Sequence, residues 1–285
     1  MKELESHGHE VVCIDIRSDL RTDITEFDIL MDDWPDGVDC VVHLAAKPGV
    51  GWSVENPAEC HVQNVIGTEN VLRAARLHRV RRFVFASSST VYGRNPKTPW
   101  GEYQACTPAS PYGETKVEGE RLCDYYARYC GMSCVVLRLF SVYGPRMRED
   151  LAMRRLADSL LPEGSVFRMR GDGSSARDYT YVGDVARAFR LAVESDVQGT
   201  FNICGGSPRT LDDVVKVLGS ELGQEPNVER LYSVEAWEPA RTWGDNSRAL
   251  AELGWKPETD FQQGVRLFAN WWRASTGWKP PMPED

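Results

Sequence analysis

The chain alternates short, nearly continuous apolar runs with longer stretches in which apolar residues recur every three or four positions. Residues 39–46 hold the run Cys40-Val41-Val42-His43-Leu44-Ala45-Ala46. Residues 83–86 read Phe83-Val84-Phe85-Ala86, and 134–140 read Cys134-Val135-Val136-Leu137-Arg138-Leu139-Phe140. Runs this short and this apolar are the pattern of parallel strands buried on both faces. Val11-Val12-Cys13-Ile14-Asp15-Ile16 has the same character and predicts a further buried strand ending in an acid. Helical spacing lies between the runs. Residues 1–7 read as the last turns of an amphipathic helix with Gly8 at its C-cap, 53–56 lead into one long helix holding Asn64, and 112–129 form another. Strand and helix alternating in this way predict an α/β fold with a doubly wound parallel sheet.

Beyond Arg146 the pattern loosens. Short strands at 165–170 and 199–203 alternate irregularly with helices at 182–194, 211–222 and 261–272. This predicts a first domain over 1–145 and a smaller α/β lobe over 146–278, interleaved with it. A Pro-rich tail, 279–285, is predicted to be disordered. Gly171-Asp172-Gly173 is a turn, since no helix follows it directly. The sequence has no internal repeat.

The chemistry gathers after the run 83–86. Ser87-Ser88-Ser89-Thr90-Val91-Tyr92-Gly93 follows it, and hydroxyls leaving the C-terminal end of a parallel strand sit where open α/β sheets bind ligands. After a Pro- and Gly-rich loop, expected as a wall of the site, Tyr112-Gly113-Glu114-Thr115-Lys116 opens the second helix. Tyr112 and Lys116 are four apart and share one helix face. A cation beside a phenol favours phenolate, which is a base.

These residues resemble the extended short-chain dehydrogenase/reductase family, and within it the nucleotide-sugar epimerases. The resemblance runs from Gly8 to about Trp272. It rests most on 86–93, on Tyr112 with Lys116, on Arg177-Asp178-Tyr179-Thr180-Tyr181-Val182 and on Leu253-Gly254-Trp255-Lys256-Pro257. It implies a Rossmann-like sheet, NAD as cofactor and a UDP-sugar as substrate. By resemblance, Ser88, Tyr112 and Lys116 are catalytic: Tyr112 takes the proton of the sugar's 4-hydroxyl, Lys116 lowers its pKa, and Ser88 shares the proton path. Hydride leaves C4 and returns to the opposite face of a 4-keto sugar. Asp15, Asp23, Ile24, Leu44, Ala45, Ala46, Lys47, Ser87 and Phe140, with Tyr112 and Lys116, are implied to hold the cofactor. Ser89, Thr90, Ser141, Arg148, Arg177 and Arg241 are implied to hold the substrate, and Asn64 to buttress the active-site strands. A homodimer through the Asn64 and Tyr112 helices is implied as well.

The substrate expected first is UDP-glucuronate, because Ser141 and Arg148 have that subgroup's spacing and Lys47-Pro48-Gly49-Val50 resembles its loop. A UDP-glucose or UDP-N-acetylglucosamine 4-epimerase, or another NAD(P)-dependent sugar-nucleotide oxidoreductase, is the alternative. No carboxylate occurs in Ser89-Thr90-Val91, which disfavours dehydratases and decarboxylases. One departure matters. The sequence opens midway through the family's first helix, so its first strand and Gly-rich pyrophosphate loop are missing. Three readings follow: a start placed inside a longer chain, a protein that has lost the cofactor, or another segment serving as the loop. The second would make this a non-catalytic sugar-nucleotide or partner-binding protein.

Composition narrows the rest. The 285 residues are 42% hydrophobic and 26% charged, with 33 basic against 42 acidic residues and a net charge of -9. That balance argues against a nucleic-acid or membrane-surface partner. No apolar run approaches a membrane span of about 18 residues. Cysteines at 13, 40, 60, 106, 123, 130, 134 and 204 show no CxxC spacing. They are expected to be buried reduced thiols of a cytoplasmic protein, neither disulfides nor metal ligands. His43 is expected as a packed core histidine, and Trp237, Trp243, Trp271 and Trp272 as packing residues.

Overall fold

The computed structural model describes residues 1–16, 22–231, 233, 235 and 238–279. In chain order the first half comprises α1 (Lys2–Glu5), α2 (Phe27–Asp32), β1 (Cys40–His43), α3 (Val50–Glu55), α4 (Pro57–His61), a π-helical turn (Val62–Ile66), α5 (Gly67–Leu77), β2 (Arg82–Ser88), a 3-10 turn (Ser89–Tyr92), α6 (Pro111–Cys130), β3 (Ser133–Leu139) and β4 (Ser141–Tyr143). The second half comprises α7 (Ala152–Asp158), β5 (Phe167–Arg170), β6 (Ala176–Arg177), β7 (Tyr179–Tyr181), α8 (Val182–Glu194), β8 (Gly199–Ile203), β9 (Arg209–Thr210), α9 (Leu211–Leu222), β10 (Val228–Leu231), α10 (Ser247–Leu253) and α11 (Phe261–Thr276).

β1, β2, β3 and β8 form one parallel sheet in that order. Its two faces follow from the period-two side-chain rule. Phe83, Phe85, Cys134 and Val136 point into one core with Leu72, Ala75 and Tyr126. Val84, Ala86, Val135 and Leu137 point into the other, with Val185, Ala188 and Trp255. Both faces are buried, which is why the runs at 83–86 and 134–140 are apolar without alternation. β8, from the second half of the sequence, completes this sheet beside β3. A third core holds α7, α9 and α11 together around Met153, Leu218, Val265 and Trp272.

α6 seats the site and is fixed at both ends. Ser110 caps it by accepting from Gly113 N–H at 3.1 Å, Pro111 begins it, and Gly131 ends it in the left-handed region. The helix lies close against β2 because position 119 is Gly: a Cβ there would stand 2.4 Å from the Phe85 ring.

Three expectations need correction. Residues 11–16 form no strand: Val12 and Ile16 are 56% and 57% exposed, and Cys13 is exposed rather than buried. An extended segment becomes a strand only beside a ladder partner, and among the described strands β1 pairs with β2 alone. The run 39–46 pairs only as far as His43, leaving Leu44 60% exposed. The single long helix after 53–56 is broken at Asn56, where Pro57 starts α4, and widens into the π-helical turn at 62–66. The helices at 182–194 and 211–222 keep their predicted bounds, and the third extends to Thr276. Trp271 and Trp272 pack in the third core, and Trp243 is half-buried. Trp237 and the tail beyond residue 279 lie outside the described residues.

Candidate active site

Ser88, at the end of β2, accepts from the backbone N–H of Thr90 at 3.2 Å, which turns the chain into the 3-10 helix. Tyr112 and Lys116 lie on the first turns of α6. Ser53, fully buried, accepts from Tyr112 N–H at 3.1 Å and donates to Val50 O at 2.7 Å, tying α3 to the start of α6. Lys116 is buried, donates to Ala86 O at 2.9 Å, and stands 5.7 Å from the Tyr112 ring centre.

Desolvation pushes the Tyr112 phenol up to about 12, opposed by the Arg148 guanidinium and, less, by the Ser88 hydroxyl. Desolvation also brings Lys116 down to about 8, so the ammonium is weakly held. Arg148 itself is gripped by Asp150 through two bonds, 2.8 and 2.6 Å.

Four bonds satisfy the buried Asn64. Its Oδ1 accepts from Lys47 N–H at 2.7 Å, and its amide donates to Lys47 O (3.2 Å), Thr115 Oγ1 (3.1 Å) and Cys60 Sγ (3.4 Å). The loop after β1 is thereby fastened to α6. His43 is a core residue: it pairs with Thr68 Oγ1 at 2.9 Å, stacks on Phe85, and is driven down to about 3 by burial and then by the Lys116 charge.

A cleft of about 180 Å³ brings together Ser89, Thr90, Ser141 and Arg177, with Gly93, Trp100, Ala109 and Ser110 of the loop forming part of its wall. Thr90 Oγ1 is buried there without a hydrogen-bond partner. Arg177 lies 3.9 Å from Glu238, which also lines the cleft. A larger groove of about 470 Å³, between α4 and the start of α6, holds none of the predicted site residues.

Other predicted residues lie elsewhere. Arg241 is exposed and stacks on Trp243, 5.0 Å from its centre. Ser87 donates to Glu120 at 2.5 Å, so its side chain is committed to α6. Phe140 packs between Tyr92 and Trp100. The Asp23 carboxylate accepts from Thr25 in a local turn, and Ile24 packs over Gly67. Asp15 and Leu44 are exposed, and Ala45 and Ala46 half-buried.

Sequence reasoning passed over Asp178 as a structural residue. Fully buried, it accepts from the N–H groups of Gly206 (3.0 Å) and Gly244 (3.1 Å). Thr242 accepts from its own N–H at 3.0 Å. Desolvation, opposed by those amides, leaves its carboxyl at about 6. Its signal was an acid between Arg177 and an aromatic strand.

The residues fit the nicotinamide-ribose end of a dinucleotide. An ammonium has three donors, and Lys116 gives one to Ala86 O. Among the described residues no metal-binding cluster of His, Cys, Asp or Glu occurs, and no helix is long and apolar enough to cross a membrane.

The chain is 34% identical over 255 residues to a UDP-glucuronate 4-epimerase of Thermodesulfobacterium geofontis, covering 88% of this chain and 78% of the relative. The Thermus thermophilus UDP-glucose 4-epimerase, solved with NAD, superposes with a TM-score of 0.90 at 28% identity, covering 96% of this chain and 94% of that one. A UDP-glucuronic acid 4-epimerase from Bacillus cereus, solved with UDP-glucuronic acid and NAD, superposes with a TM-score of 0.80 at 32% identity over 91% of this chain and 81% of that one. Residues 1–204 match the NAD dependent epimerase/dehydratase family, and the chain belongs to it.

Proposed function

We propose that the protein is an NAD-dependent 4-epimerase of a UDP-sugar, and that the sugar is glucuronate. The observation that carries this is Lys116, buried one turn beyond Tyr112 on α6 and bonded to Ala86 O of β2, the strand that ends at Ser88. Bound NAD supplies the acceptor and returner of a hydride at sugar C4. Tyr112 removes the proton of the 4-hydroxyl as C4 is oxidised, and gives one back as C4 is reduced on its other face. Ser88 bonds to the same oxygen and keeps the proton path short. The two Lys116 hydrogens not given to Ala86 O would hold the nicotinamide ribose. Ala45, Ala46 and Lys47, the last held by Asn64, would lie along the cofactor, and Asp15 would serve the other ribose. Arg177 takes the diphosphate, for which a planar guanidinium is well suited. Ser89, Thr90 and Ser141 offer hydroxyls to the sugar, and Arg148 its charge to the carboxylate. In this reading 1–145 carries the cofactor and 146–278 mainly the substrate.

One observation favours a neutral sugar instead. Arg148 already gives two of its five N–H groups to Asp150, so a sugar carboxylate would meet a cation whose charge is already paired, whereas UDP-glucose needs no such partner. The two readings separate by NMR product analysis of the chain with NAD and each substrate. Conversion of UDP-glucuronate at a kcat/KM at least ~10-fold above that of UDP-glucose supports the first, and the reverse order supports the second. No conversion of either, in the presence of saturating NAD, leaves the non-catalytic binding protein.

Exposed Val62 and Ile66 on one side and Tyr125 and Tyr129 of α6 on the other suit a homodimer through these helices. Light scattering at micromolar concentration tests it, and a monomer mass refutes it. The eight thiols are free; a cytoplasmic setting is part of this reading.

A further inference from the structure

Beside the site lies a buried charge pair that the reaction as described does not use. Arg138 interrupts the apolar run of β3. Its side chain is 6% exposed and that of its partner Glu120, on α6, is 12% exposed. Two bonds join them, Nε to Oε1 at 2.9 Å and Nη2 to Oε2 at 2.7 Å. The remaining donors reach the Tyr92 hydroxyl (2.8 Å), Cys106 Sγ (3.2 Å) and Glu102 O (3.4 Å). Glu120 also accepts from Ser87 Oγ, and Tyr92 donates to Asn202 Oδ1 of β8 at 2.8 Å.

One ion pair is therefore bonded to the residue before Ser88, to the 3-10 turn that carries Thr90, to the loop that walls the cleft, and to α6 one turn beyond Lys116. Stability alone does not account for it. Desolvating two charges offsets most of their attraction, and apolar replacements of such pairs are often neutral or stabilising. What the pair does supply is fixed geometry where four segments come together beside the site.

We propose that Glu120 and Arg138 are positioning residues: they hold Ser88, Thr90 and Lys116 in mutual register, with Glu120 four residues beyond Lys116 on the same face of α6. This rests on the epimerase reading above. The groups facing Lys116 are Tyr112, Glu120 and Cys123 of its own helix, Cys60 of α4, His43 of β1, and the Phe85 ring and Ala86 carbonyl of β2. Glu120 is the carboxylate among them. Burial already lowers Lys116 to about 8, and Glu120 works against that shift. Removing its charge lowers the ammonium further.

The test uses the full chain with Glu120→Gln and with the double variant Glu120→Gln/Arg138→Met. Lys116 is titrated by NMR of ¹³Cε-labelled lysine, its signal identified by its loss in Lys116→Met. In Glu120→Gln the Lys116 midpoint falls, the alkaline limb of the kcat profile moves to lower pH with it, and kcat drops roughly 10- to 100-fold with KM within about twofold. The double variant regains the melting temperature of the wild type without regaining kcat. An unmoved Lys116 midpoint, or a double variant with wild-type kcat, overturns the proposal. A wild type without turnover would instead refute the epimerase reading, and the Lys116 titration would still judge Glu120.

Discussion

Lys47 and Asn64 exchange two hydrogen bonds, the Lys47 N–H donating to Asn64 Oδ1 at 2.7 Å and the Asn64 amide donating to the Lys47 carbonyl at 3.2 Å. Asn64 thus stands in for a strand neighbour at the point where β1 has ended. Asn64→Ala leaves the part-buried N–H and carbonyl of Lys47 without these partners. The expected cost is about 1–3 kcal/mol of stability in urea unfolding, with weaker NAD binding in a calorimetric titration. Unchanged NAD affinity would detach this loop from the cofactor.

Tyr112→Phe keeps the ring and removes the proton acceptor. Turnover should fall by at least ~10³-fold, while substrate affinity stays within about threefold. Comparable turnover in the variant would assign the base elsewhere.

His43 has a folded pKa of about 3, below the unfolded value of 6.5. The unfolded chain therefore binds the extra proton between those values, so stability is full above pH 6.5 and is lost as pH falls toward 3. At pH 4 the loss is about 3 kcal/mol. His43→Phe should flatten this acid limb in denaturant titrations at pH 8 and pH 4. Thr68 keeps a partner in that variant, since its hydroxyl already donates to Asn64 O.

Arg148→Met removes the cation that opposes the raised phenol pKa. KM for UDP-glucuronate should rise by about 10-fold or more, with UDP-glucose changed less. The acid limb of the pH profile should move upward, because Tyr112 then ionises later.

Asp178→Ala frees the amides of Gly206 and Gly244 in a buried setting. Roughly 2–4 kcal/mol of stability should be lost, and KM for the UDP-sugar should rise through the neighbouring Arg177. A stability loss with unchanged KM would confine Asp178 to the fold.

The sheet was legible where burial on both faces left no alternation, as at 83–86 and 134–140, and the α6 pair was legible from spacing four. The segment 11–16 misled because apolar character signals a strand only when a ladder partner exists, and pairing is not written in the segment itself. Arg241 is exposed and lies over Trp243, a direction of the side chain that a local motif does not carry. The Arg148 influence on Tyr112 joins residues 36 apart in a loop and a helix, and no local pattern carries that. Arg138 did leave a signal, a lone charge inside an apolar run, whose meaning appears only beside Glu120.

The most direct measurement follows the hydrogen on C4. UDP-glucuronate deuterated at C4 is incubated with the chain and NAD in ordinary water, and the product is read by NMR. Epimerisation through a 4-keto sugar predicts UDP-galacturonate that keeps its deuterium at C4, because the hydride leaves and returns within one site. Product with protium at C4, or no product at saturating NAD, would contradict it.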